Sequence, residues 1–240
     1  TAANPNDAPF TCNNKLIGAY NFIDTYKAVV GLLPGEFDSA RDDNGHGTHT
    51  ATTSAGNGNV AASIFGVSRG LVSGIAPRAH VIAYRVCADQ GCYGSDSLAA
   101  IEQAILDRVN VINFSISGGG APYSDAVELG FLKAYENGVF VAASAGNSGP
   151  GADTVSHRGP WVTTVAASTS DRQFASTVTL TADNGDTLTL QGVSVTNGVS
   201  APKPVVISPD PGCGPLAAGT FNGEIVVCNR GGIGRVEKGF

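Results

Sequence analysis

The sequence predicts an α/β fold with a doubly wound parallel sheet, followed by a mostly β segment. Two observations carry this. Apolar strand-like runs alternate with helical stretches up to about residue 170, the pattern of a parallel sheet covered by helices. From about Ser168 that texture gives way to short threonine-rich and valine-rich runs punctuated by proline and glycine. A chain of 240 residues is long enough for one large core, or for one domain and part of a second.

Taken in order, Val81 to Val86 reads as a strand. Ser95 to Arg108 reads as a helix, with Leu98, Ile101, Ile105 and Val109 at helical spacing and Ser95 or Asp96 as its cap. Val109 to Ile116 is the next strand and runs into a glycine-rich turn. Ser124 to Asn137 is a helix with Val127, Phe131 and Ala134 in one stripe and Gly138 as its stop. Val139 to Ala143 and Trp161 to Ala167 are further strands. Thr177–Thr181 and Thr187–Leu190 alternate around Asp183-Asn184-Gly185-Asp186, the pattern of a hairpin. Pro202, Pro204, Pro209 and Pro211 mark a loop-rich stretch. Gly223 to Gly232 reads as a strand followed by a glycine turn. In an open α/β sheet, the strand-end loops carry the chemistry.

Composition narrows the function. The chain is 42% hydrophobic, which suits a globular protein, and no run is long enough to span a membrane. The net charge of −6 offers no basic patch for nucleic acid. Five cysteines are an odd number. Cys87 and Cys92 flank a short loop and could close a small ring. Cys213 and Cys228 could pair across a hairpin, leaving Cys12 alone. Disulfides imply an oxidising compartment; the alternative is five thiols.

The densest chemical signal is Asp42-Asp43-Asn44-Gly45-His46-Gly47-Thr48-His49-Thr50-Ala51. Asp43 and Asn44 are good helix N-cap residues. Gly45 and Gly47 leave room beside the imidazole. A histidine at the mouth of a helix is well placed as a general base. His46 and His49 could also share a helical face as metal ligands, but no zincin-type glutamate lies between them. Two apolar strands end in small residues further on: Val109 to Gly119, through Ser115-Ile116-Ser117, and Gly138 to Gly149, through Ser144-Ala145-Gly146-Asn147. An asparagine amide at such a strand end can donate to a developing oxyanion.

These three segments, in this order, resemble the subtilisin-like serine proteases. The runs Gly74 to Cys87 and Pro160 to Ser168 are similar to the plant-type, pyrolysin-like branch. The resemblance implies a subtilisin-like sheet and a secreted endopeptidase acting on polypeptides. His46 would be the catalytic base and Asn147 the oxyanion donor. Ser115, Ile116 and Ser117 would pair with the extended substrate, and Ser144, Ala145 and Gly146 would wall the S1 pocket. It also implies residues 1–195 as part of a catalytic domain and 196–240 as the start of an inserted protease-associated domain. Cys12 would pair with an upstream cysteine.

The family's serine lies in a Gly-Thr-Ser-Met-Ala motif, and this chain contains no methionine. Its aspartate lies in an Asp-Ser/Thr-Gly motif, absent before His46. Asp24-Thr25 lacks the glycine and follows Lys15 to Phe22, which resembles a strand lying after the catalytic aspartate. Gly66-Val67-Ser68-Arg69-Gly70 matches Gly-x-Ser-x-Gly formally but is expected in a loop, not at a strand-to-helix elbow. The chain is therefore expected to be a fragment, inactive alone, that needs the remaining segments of its parent protease. A non-catalytic pseudoprotease or binding scaffold is the alternative. No motif demands a cofactor; calcium, which many subtilases bind, has no motif here. His80 and His157 are expected on the surface or in packing roles.

Overall fold

The computed structural model describes residues 7, 9–171, 173–214 and 216–231. By internal contacts the chain divides into two units: residues 1–63 with 68–171, and residues 64–67 with 172–240.

The elements run in the following order. Strand β1 (Leu16–Asn21) leads into the short helix α1 (Asp24–Val29), and α2 (His46–Ala55) follows a long connection. Then come β2 (Val60–Ile64), β3 (Val67–Val72), β4 (Val81–Arg85), β5 (Cys87–Ala88) and β6 (Gly91–Cys92). Helix α3 (Gly94–Leu106), strand β7 (Val111–Phe114), helix α4 (Ala126–Glu136), strand β8 (Phe140–Ser144) and strand β9 (Thr163–Val165) complete the α/β part. The remainder holds β10 (Ala175–Thr181), β11 (Thr187–Val193), β12 (Val205–Ile207) and β13 (Ile225–Val227).

The fold is α/β with parallel sheets. β1 pairs with β4 in parallel, and β7, β8 and β9 form a three-stranded parallel sheet. Among the described residues no ladder joins these two pieces. The core lies where α4 and α3 meet the β7–β8–β9 sheet. Ile101, Phe114, Phe131, Ala134, Val139, Val141 and Ala143 are buried together there. These are the apolar stripes of both helices and the inward positions of the strands. Burying the larger of these, Ile101, Phe114, Phe131, Val139 and Val141, contributes about 1.5–3 kcal/mol each.

Helix α4 ends where local chemistry says it should. The Asp125 side chain accepts the amides of Val127 and Glu128 at its start, and Gly138 adopts φ +78° just past its end. Helix α3 differs from expectation. Its N-cap is Tyr93, with no side-chain cap. Asp96 is used elsewhere: its two oxygens accept the amides of Thr25 and Tyr26 at 2.9 and 3.0 Å, in the first turn of α1. Helix α1 lacks a side-chain cap of its own, so the nonlocal carboxylate satisfies its open amides.

Three further corrections follow from the structure. Ser68 lies on strand β3, not in a loop; β2 and β3 form a hairpin around Phe65 and Gly66, with φ +49° and +75°. Two positive-φ residues suit the tight turn of a right-twisted hairpin. The proline-marked stretch contains β12, which pairs in parallel with β13. The N-cap position of the histidine helix is Gly45 rather than Asp43 or Asn44, although Asn44 Oδ1 accepts the His46 amide at 3.3 Å. The threonine-rich hairpin is present as antiparallel β10–β11, with Thr181 opposite Thr187. Gly232 lies outside the described residues. The structure pairs Cys87 with Cys92 and Cys213 with Cys228, and leaves Cys12 as an exposed free thiol. No helix among the described residues is long and apolar enough to cross a membrane.

Candidate active site

His46 is the first residue of α2 and is exposed. The chain enters the helix through Gly45, whose φ of +93° is a left-handed conformation that a side chain would strain. Asp42 takes the capping role from further back. Its Oδ1 accepts the amides of Asn44 and Gly45 at 3.0 and 2.8 Å. Its Oδ2 accepts the amide and the hydroxyl of Thr48, both at 2.7 Å. Burial pushes the Asp42 carboxyl up, but the hydrogen bonds from Gly45, Thr48 and Asn44 outweigh it and hold the pKa at about 2. One ionised side chain thus closes the turn that presents the imidazole.

Asp43, instead of capping, faces inward. Its Oδ2 accepts the Phe37 amide at 2.8 Å and Arg85 Nη2 at 2.7 Å, and both side chains of the ion pair are nearly buried. Arg85 also donates to the carbonyls of Phe37 and Ser39. A second buried acid, Glu36, accepts the Tyr26 hydroxyl at 2.6 Å and the amides of Leu33 and Asp89. Burial would raise its pKa, but those hydrogen bonds, with Tyr26 first, and the Arg85 charge bring it below the usual carboxylate range. The connection from Leu33 to Asp43 is therefore pinned to β4 and to the Cys87–Cys92 turn before it reaches the histidine.

The two strand-end segments meet. Past Phe114 and Ala143 the β7–β8 ladder stops. Ser144 Oγ then donates to the Ile116 carbonyl at 3.0 Å. Gly146, at φ +80°, leaves no room for a side chain: a Cβ there would lie 2.7 Å from Ser156 Oγ and 3.4 Å from Ser117 Oγ. The Ser156 amide donates to the Ala145 carbonyl at 2.9 Å. Ser115-Ile116-Ser117 and Ser144-Ala145-Gly146 are thus neighbouring walls. Ser117 is exposed, and Asn147 stands exposed just beyond the second wall. Among the described residues, no hydrogen bond joins the His46 or Asn147 side chain to these walls or to each other. Asp24 sits at the start of α1, with its side chain 88% exposed and paired to Lys27 at 3.0 Å.

Beneath the walls lies a pair that the sequence did not assign. His157 and Glu128 are both buried, with His157 Nδ1 2.5 Å from Glu128 Oε1. His157 Nε2 lies 2.8 Å from the Ile116 carbonyl. The signal was a charged residue three positions before Phe131 on the apolar side of α4. Among the described residues, no group of three or more His, Cys, Asp or Glu side chains is placed to hold a metal ion.

The model of the Subtilase family (peptidase S8) matches residues 27–210. Among curated relatives, the Arabidopsis thaliana subtilisin-like proteases SBT1.5 and SBT5.3 are 41% and 43% identical over 95% and 98% of this chain. The matches cover 31% and 33% of those proteins, so the chain spans about a third of their length. Among solved structures, Sphericase aligns over 64% of this chain and 46% of its own, at 27% identity and a TM-score of 0.46. S41 Psychrophilic Protease aligns over 55% and 41%, at 34% identity and a TM-score of 0.42. The family match runs from before the histidine helix to beyond both strand-end segments, and on that ground this chain belongs to the subtilase family.

Proposed function

We propose that this chain supplies the histidine-bearing, cleft-lining part of a secreted serine endopeptidase, and that it does not hydrolyse peptides alone. The observation that carries this reading is the junction of the two walls at Ile116 O, beside an exposed strand-end asparagine. An extended polypeptide would lie along Ser115-Ile116-Ser117, with Ser144, Ala145 and Gly146 lining the pocket for the residue before the scissile bond. A serine from the remaining segments of the parent protease would attack the carbonyl. His46 would take the serine proton and return it to the leaving amine. The Asn147 amide would donate to the oxyanion. In this reading residues 1–195 belong to the catalytic domain and 196–240 begin a protease-associated domain. The two disulfides support an oxidising compartment.

The test is steady-state hydrolysis of a peptide substrate by the whole protein. His46→Ala is expected to abolish it. Asn147→Ala is expected to lower kcat about 10²–10³-fold with little change in KM. An unchanged kcat in Asn147→Ala would overturn the oxyanion role. Hydrolysis by the 240-residue chain itself, lost in His46→Ala, would overturn the claim that it is inactive alone.

A further inference from the structure

Between β7 and the glycine turn, the backbone of Ser115, Ile116 and Ser117 has left the sheet ladder, so something else must fix it. Two side-chain donors converge on one atom, the carbonyl oxygen of Ile116: Ser144 Oγ at 3.0 Å and His157 Nε2 at 2.8 Å. A carbonyl only accepts, so Nε2 carries a proton. The other ring nitrogen, Nδ1, lies 2.5 Å from Glu128 Oε1.

The surroundings leave the ring little freedom. Phe114 and Phe131 meet it edge-on, with ring centroids 5.5 and 5.6 Å away. The His157 amide donates to the Gly118 carbonyl, and Thr164 Oγ1 donates to the His157 carbonyl. Trp161 Nε1 donates to the Glu128 carbonyl. A Cβ on Gly119 would fall 2.4 Å from Glu128 Oε1 and 2.7 Å from His157 Nδ1, so the turn closes directly over the pair.

We propose that Glu128 and His157 are positioning residues for peptide binding: they hold the Ile116 carbonyl inward and so set the outer edge on which an extended substrate pairs. Successive backbone groups of a strand-like segment face opposite sides. With Ile116 O drawn inward, the groups of Ser115 and Ser117 remain for the substrate. Glu128 fixes the imidazole, the imidazole fixes Ile116, and Ser144 ties the same atom to the second wall. The pair touches no substrate itself. This inference rests on the endopeptidase reading above.

The test compares two substrates in the whole protein. A tetrapeptide amide uses the edge; a single-residue ester uses only the pocket and the catalytic groups. His157→Leu and Glu128→Leu are expected to lower the tetrapeptide-to-ester ratio of kcat/KM about tenfold, mainly through tetrapeptide KM. His157→Gln keeps a donor and is expected to recover part of that ratio. Should the leucine variants fail to fold, Glu128→Gln keeps the shape of the side chain but not its charge and is expected to lower the same ratio several-fold. An unchanged ratio in the folded variants, with the wild type cleaving both substrates, overturns the positioning role and leaves the endopeptidase reading intact. A wild type that cleaves neither overturns both.

Discussion

Asp42 and Thr48 are joined twice, because one carboxylate oxygen of Asp42 accepts both the amide and the hydroxyl of Thr48. The contact spans the turn that carries His46. Asp42→Ala is therefore expected to cost about 1 kcal/mol, the usual loss for a helix cap. The folded pKa of about 2 lies below the ordinary 3.8. A carboxyl depressed on folding stabilises the fold above its unfolded pKa and stops doing so as pH falls through the folded value. Urea denaturation should show the wild type ahead of Asp42→Ala near neutral pH, with the gap closing between about pH 4 and pH 2. A gap independent of pH would show that the charge plays no part.

Asp96 serves α1 from α3, and the amide of fully buried Tyr26 depends on it. Removing the carboxylate leaves two first-turn amides without their acceptor. Asp96→Ala is expected to cost about 1–3 kcal/mol, and Asp96→Asn about half as much because one oxygen remains. Thermal unfolding followed by circular dichroism checks the order. Equal loss in both variants would mean that the second oxygen does nothing.

Gly119 and Gly120 are adjacent and should respond very unequally to alanine. At Gly119 the added carbon meets Glu128 and His157 and sits at φ +65°; at Gly120 nothing lies within 4 Å. Gly119→Ala is expected to cost about 3 kcal/mol, from strain and overpacking together. Gly120→Ala is expected to change stability by less than about 0.5 kcal/mol. Denaturant midpoints decide it.

The two disulfides close loops of different length, with sequence separations of 5 and 15. Loop-closure entropy assigns about 2 kcal/mol to the shorter and about 3 kcal/mol to the longer. Paired cysteine-to-serine substitutions are expected to rank accordingly in urea. Loss of Cys87–Cys92 is also expected to loosen the Asp89 amide that Glu36 accepts, seen as faster hydrogen exchange at Asp89.

Locally encoded features were legible. Gly138 reads as the stop of α4 and lies just past its end, because a stop acts within a few residues; the cap at Asp125 is equally local but is not named by the sequence reading, which starts the helix at Ser124. The apolar stripes of α3 and α4 became the core, and the histidine motif did open a helix. What escaped was nonlocal. Asp96 reads as the cap of its own helix and caps another instead. Asp43 reads as a cap and is drawn to Arg85, 42 positions away. The β2–β3 turn carries Phe65 at positive φ, where the usual Asn or Gly signal is missing. His157 looked idle because its partners, Glu128 and Ile116, lie 29 and 41 residues back along the chain.

The histidine helix is held by main chain rather than by its flank. No residue of α2 is buried. At its far end, Gly74 N donates to Gly56 O, Ile75 N to Thr53 O and Ala76 N to Ser54 O. A side chain on Gly74 would strike the Gly56 amide at 2.2 Å. Thr50, Thr52, Thr53 and Ser54 turn their hydroxyls back onto carbonyls of the helix itself. The far end of α2 is thus seated on a seam of peptide groups that needs glycine at 56 and 74, while its first turn depends on Asp42 and Thr48. Beyond Thr48 the exposed flank of α2 is therefore expected to tolerate substitution, whereas a side chain at residue 74 would push the helix off the seam that seats it.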